Sequence, residues 1–233
     1  AQIAQLNSSQ AAAIETTDIG ALSTANVRAF RTDAINALGT DQIAALTTAQ
    51  TAALTSTQTQ ALNTAQVAAL ESTDLAVLNS AQIKVFNSAQ LGAIETTDIG
   101  AMSTTAVKVI TTDALSGLTT DQVAALTSAQ IAALTTAQSA VLNTAQAAAI
   151  ETTDIAAMTT ASVRTLSTAA INALGTDQIL AMTTAQVAGL SSTQVQALTS
   201  AQVAALESTD LAAMNTAQIA QLNSSQAAAI ETT

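Results

Sequence analysis

Residues 64–70 read Thr-Ala-Gln-Val-Ala-Ala-Leu, and residues 200–206 read Ser-Ala-Gln-Val-Ala-Ala-Leu. Outward from these two stretches the same eight-residue unit runs through the chain without a slip of register. Every eighth residue from Leu6 to Ile230 is Leu, Ile, Met or Phe, and every eighth from Ser8 to Thr232 is Ser or Thr. A second apolar position, seen at Ile19, Val27, Ile35, Val67 and Val203, is mostly Val, Ile or Leu, with exceptions that include Ala11, Thr51, Thr59 and Ser139. Such a unit is too small to bury its own apolar face, so it must stack on copies of itself.

The apolar pair decides the secondary structure. Val67 and Leu70 are three residues apart, which puts them on opposite faces of a strand and on one face of a helix. Ala and Gln are also poor strand residues. One continuous helix fails, because an octad turns through ~800° and its apolar stripe drifts by ~80° per repeat. The remaining solution is one short helix per octad with a bend between octads. Thr47-Thr48-Ala49-Gln50 and Asn63-Thr64-Ala65-Gln66 read as capping boxes at the helix starts. The Ser/Thr at each octad is explained in the same way, as N-capping. Asp18, Asp41, Asp74 and Asp121 fall in first turns, where the helix dipole favours a negative charge. Helices this short are marginal alone and must be held by stacked neighbours. The expected fold is therefore all-α: a solenoid or superhelix of very short helices, one per octad, in a single continuous array over 1–233.

A longer beat overlies the octads. Glu-Ser/Thr-Thr-Asp occurs at Glu15–Asp18, Glu71–Asp74, Glu95–Asp98, Glu151–Asp154 and Glu207–Asp210, with Glu231 opening a sixth, at spacings of 56, 24, 56, 56 and 24 residues. Arg28, Lys84, Lys108 and Arg164 follow thirteen residues behind a Glu. If like residues stack in columns, three and seven octads each approximate whole turns, which gives ~3.4 octads, or ~27 residues, per turn. With helices ~8–10 Å apart, the array would be a rod of ~70–90 Å. Residues 1–17 recur unchanged at 217–233, an offset of 216 residues. This suggests a fragment of a longer array with a 216-residue higher-order repeat.

Composition narrows the function. The chain has no Cys, His, Pro, Trp or Tyr and only two Phe, so thiolate or imidazole catalysis and metal ligation by those groups are excluded. Its net charge of −11 leaves no basic footprint for nucleic acid. Ser or Thr breaks every apolar run well short of a membrane span, so no membrane insertion is expected. Catalysis has no cleft or aromatic platform to suggest it, and the chain is expected not to be an enzyme, with no cofactor.

Weak binding candidates remain. The pairs Glu15 and Asp18, Glu71 and Asp74, Glu95 and Asp98, Glu151 and Asp154, and Glu207 and Asp210 could form an acidic column for Ca²⁺; helix-start charge and solubility are the better explanation of them. The basic residues could bridge coils or simply be solvated. The Ser/Thr column also suggests a hydroxyl face for ice. Thr51 and Thr59, polar residues at the inner Val position, suggest a looser or hydrated core there. The scattered glycines look like relief at close contacts or helix ends.

The string Leu-Thr-Thr-Ala-Gln, at Leu46–Gln50 and Leu134–Gln138, resembles tracts in very large exoproteins of Gram-negative bacteria described as adhesin-like repeat proteins. That resemblance implies an extracellular spacer, stalk or appendage at the bacterial cell surface and names no functional residues. Ala-rich outer positions such as Ala52, Ala68 and Ala132 would permit lateral self-association into a filament or tube. The alternative is a binding module that displays a face to ice, a cation or a surface glycan.

Overall fold

The computed structural model describes residues 2–230 and is helical throughout, with 28 short α-helices and one opening 3₁₀ turn among the described residues. Glu231 lies outside them. The chain divides into two compact units, one running to Leu118 and one starting at Thr119. Each is described by itself.

The local logic is uniform. In α8, Thr64–Ala68, the N-cap Asn63 is extended at φ −79°, ψ 169°. Its side chain accepts from the Gln66 backbone N–H, while Gln66 Oε1 accepts from the Asn63 N–H, both at 2.9 Å. The helix stops after one to one and a half turns, and the Leu70 N–H closes it on the Val67 carbonyl at 3.1 Å. An extended residue then begins the next octad. All of this is done without a positive φ among the described residues, and the glycines are no exception.

Burial follows the octad. In both units the Leu position and the inner Val position form the core, with Ile19, Ile35, Leu70 and Leu75 in the first unit and Ile131, Ile150 and Ile155 in the second fully enclosed. Phe30 and Phe86 are buried at Leu positions. The N-cap, first and second helical residues face outward. A third buried position is polar: the third helical residue, usually Gln.

Within each unit a helix packs on the helix three octads away, as α3 (Thr24–Ala29) on α6 (Thr48–Ala53) and α18 (Thr144–Ala148) on α21 (Thr168–Ala173). Hydrogen bonds between successive coils join residues 25 to 31 apart in sequence. The coil of ~27 residues read from the columns falls inside that range. The solenoid of one short helix per octad is therefore the observed fold.

Two expectations are corrected. The strictly Ser/Thr position is the first helical residue and not the cap. The cap is the residue before it, which varies among Asn, Ser, Thr, Glu, Arg and Gly. N-capping therefore accounts for hydroxyls such as Thr47 and Ser103 but not for the invariant column at Thr48 and Thr104. At Thr59, the polar intrusion is satisfied locally: fully enclosed, it donates to the Thr55 carbonyl at 3.0 Å.

Candidate functional site

The most specific chemistry in the molecule lies in the joints between coils. Gln66 is 1% exposed. Its Oε1 caps its own helix, and its Nε2 donates to the carbonyls of Leu38 at 2.8 Å and Ile35 at 2.7 Å, one coil earlier. One side chain thus ends one coil's unpaired N–H and satisfies two of the previous coil's carbonyls. Gln50 does the same with Leu22 and Ile19, and Gln58 with Phe30 and Val27. In the second unit Gln186 reaches Met158 and Ile155, and Gln202 reaches Leu174 and Ile171. Each bond contributes ~0.5–1.5 kcal/mol, and stranding a buried partner costs more. Sequence reasoning found the cap and missed the staple.

The signal that exposes it is the pair of octads capped by Gly39 and Gly175. Glycine offers no side chain to a capping box, yet the third helical residue is still Gln. Gln42 donates to Ile14 at 2.6 Å, and Gln178 donates to Ile150 at 2.6 Å. Each Gln Oε1 still accepts from the glycine N–H at 2.8 Å, so with the reciprocal half of the box gone the amide serves both its own helix start and the coil behind it.

Several octads lack the staple. Asp18, Asn26 and Ala34 occupy the position in succession, as do Asp98, Ala106 and Ala114, and again Asp154, Ser162 and Ala170; Asp74 and Asp210 stand singly. Three octads make up most of one coil, so a run of three leaves most of a coil-to-coil interface without Gln. At the Ala114 octad of the second run the backbones come into closer contact. On α11 (Ser88–Gly92) and α14 (Thr112–Leu115), a Cβ added at Gly117 would lie 2.1 Å from the Ser88 carbonyl oxygen, and one at Gly92 2.6 Å from that of Gly117. In the second unit Ser162 keeps one bond of the staple, its hydroxyl donating to Leu134 at 3.2 Å.

The acidic pairs fall within this pattern. Each Glu of the pairs, from Glu15 to Glu207, is an exposed N-cap whose side chain makes no cap hydrogen bond. Each Asp is the third helical residue. Asp74, Asp154 and Asp210 are buried, Asp98 is half-buried and Asp18 is exposed. The members of a pair thus differ in environment, and among the described residues no three acidic, His or Cys side chains gather at one point. Two octads 24 residues apart do meet, where the Ser72 hydroxyl donates to the Asp98 carboxylate. Ser128 does the same to Asp154. Arg28, Lys84, Lys108 and Arg164 are exposed, and the ion pair seen among the described residues is the local Arg31–Asp33 at 2.7 Å. No helix among them is long and apolar enough to cross a membrane.

Two shallow surface grooves recur at equivalent places, one lined by Glu15, Gly39 and Asp41 and the other by Glu151, Gly175 and Asp177. Both open where the N-cap glycine leaves the cap side chain out. Their walls are acidic and hydroxylated and bring no nucleophile or base pair together.

Among curated proteins none matches this chain. A family described as the ALTTAQ repeat matches residues 11–48, 67–94, 91–128, 147–184, 180–207 and 203–233, which together cover most of the sequence. With Ala-Leu-Thr-Thr-Ala-Gln standing unchanged at residues 45–50 and 133–138, variants of it in the other octads, and the helices set to the same beat, the chain belongs to the ALTTAQ repeat family.

Proposed function

We propose that the chain is a structural, non-catalytic repeat element, the shaft of an extended rod or stalk or the wall of a filament or tubular appendage at the bacterial surface. The observation that carries this reading is the Gln joint. In most octads one coil offers the next the same two carbonyls and receives the same amide, so length can be added octad by octad through a recurring joint. The resemblance of the repeat string to bacterial exoprotein tracts supports the surface location. Small outer side chains at Ala52 and Ala132 support close lateral packing of copies. Electron microscopy of the purified chain and of its native source tests this. Thin rods or ordered tubes are the expected result. Compact particles with no axial repeat would contradict it.

A second reading is a binding module displayed on the solenoid, and one observation favours it. Hydroxyls of the invariant column, such as those of Thr48, Thr64, Thr104 and Thr184, are exposed and are not consumed by capping. Thermal hysteresis of the purified chain examines the ice-binding form of this reading, and a value at the buffer baseline would remove it.

A further inference from the structure

The joint at Asp74 holds two buried polar atoms with no close hydrogen-bond partner: Asp74 Oδ1 and Thr51 Oγ1. Asp74 is 3% exposed and Thr51 is 0% exposed. Asp74 is the third helical residue of α9 (Ser72–Val77), the position that holds the Gln staple in the octads on either side. Gln66 donates to Leu38 and Ile35, and Gln82 donates to Leu54 at 3.0 Å and Thr51 at 2.9 Å. Counted back by the same 28 and 31 residues, the carbonyls that a staple from position 74 would meet are those of Leu46 and Ile43. A carboxylate there would oppose carbonyl oxygens with no proton between them, in a buried place where such a contact is costly.

No cationic side chain on the packed elements relieves it. Those elements are α6 (Thr48–Ala53), which has no titratable side chain, and α12 (Thr96–Ile99), which brings Asp98 and its N-cap Glu95; α5 (Thr40–Ala44), which precedes the Leu46 carbonyl, carries Asp41. The helix's own N-cap is Glu71. All the charged groups facing the joint are therefore acidic.

We propose that Asp74 carries a proton in the folded chain and, as a neutral acid, donates to the Leu46 carbonyl one coil earlier, making a staple that weakens as the pH rises. Asp74 then stands in for Gln only while it is protonated. The physical chemistry points the same way: burial pushes the Asp74 carboxyl above the usual carboxylate range, and the Glu71 charge adds to the rise. The Thr51 hydroxyl, which is close to the carboxyl but outside hydrogen-bond geometry, and the Glu71 backbone N–H offset it only in part. Because the folded-state value is raised, the stabilisation is complete below the unfolded value and is lost as pH climbs through the folded one. Asp210 occupies the same position, but Val187 stands where the first joint has Thr51, so the polar pair is peculiar to Asp74.

The test is a ¹³C carboxyl NMR titration of the full chain, with the Asp74 signal assigned by its loss in Asp74→Gln. The expected result is a midpoint above that of Asp in an unstructured peptide. In parallel, thermal unfolding of Asp74→Gln should show a higher midpoint than wild type at neutral pH, with the difference shrinking as the solution is acidified. Asp121→Asn, an exposed first-turn carboxylate with the same change in charge, serves as the control and should show no such convergence. An Asp74 midpoint at or below the peptide value would overturn the proposal. So would an Asp74→Gln variant that is less stable at neutral pH. A midpoint that falls when Na⁺ or Ca²⁺ is added would also overturn it, by assigning the gap to a metal cation rather than a proton.

Discussion

The joint at Gln66 and the joint between Ser88–Gly92 and Thr112–Gly117 close the same kind of gap by different means. At Gln66 an amide fills the space between coils, and hydrogen bonds to Leu38 and Ile35 hold them. At the second joint the third helical residue is Ala114, no amide is present, and the coils approach until backbone meets backbone at Gly92, Gly117 and Ser88. The first joint depends on directional bonds and the second on contact distance. The comparison teaches that an amide and a close backbone approach can each close a joint of this kind, and that a substitution's cost depends on which of them it disturbs.

The largest break in the comparison should come from Gln66→Ala. It removes a buried side chain, strands the Asn63 N–H and the Leu38 carbonyl, and leaves the Ile35 carbonyl with only the Leu38 N–H, at a cost of about 3–5 kcal/mol. Native-state hydrogen exchange should show the loss around residues 35–38 and 63–67, because stability in a solenoid is local. Gly117→Ala should cost about 1–3 kcal/mol, since the added methyl group forces the two backbones apart. The same change at Gly39, where an added Cβ meets Gln42 Oε1 at an ordinary 3.8 Å, should be tolerated. Ser72→Ala removes one hydrogen bond to the half-buried Asp98 and should cost about 1 kcal/mol in urea unfolding. The smallest effect is a gain: Gly39→Ser supplies the missing cap and should stabilise by a few tenths of a kcal/mol.

Much of the fold is legible in the octad itself. The three-residue spacing of Val67 and Leu70 selects a helix, and the eight-residue beat forbids a long one. The 24-residue recurrence of Glu71 and Glu95 anticipates neighbouring coils, and Ser72 indeed reaches Asp98. The joints are far less legible. Gln50 and Gln66 fit a capping box, so a local explanation absorbs them, while their Nε2 groups act on residues 28 and 31 positions away. The same masking affects the acidic residues. Asp74 and Asp41 both read as first-turn charges, yet one is the third helical residue and points inward while the other is the second and points out. One step around a helix separates a buried carboxyl from a solvated one, and composition carries no trace of it. The glycines divide in the same way, with Gly117 demanded by a close approach and Gly39 demanded by nothing in its surroundings.

Side-chain amide hydrogen exchange, measured by ¹⁵N NMR on the intact chain, tests the coil-to-coil staple most directly. Gln66 and the exposed Gln60 sit in neighbouring octads and have the same intrinsic chemistry. The Gln66 amide protons should exchange slower than those of Gln60 by orders of magnitude, because both its carbonyl partners lie in the preceding coil and must separate before exchange can occur. Equal exchange rates for the two side chains would mean that the coils are not held by their glutamines.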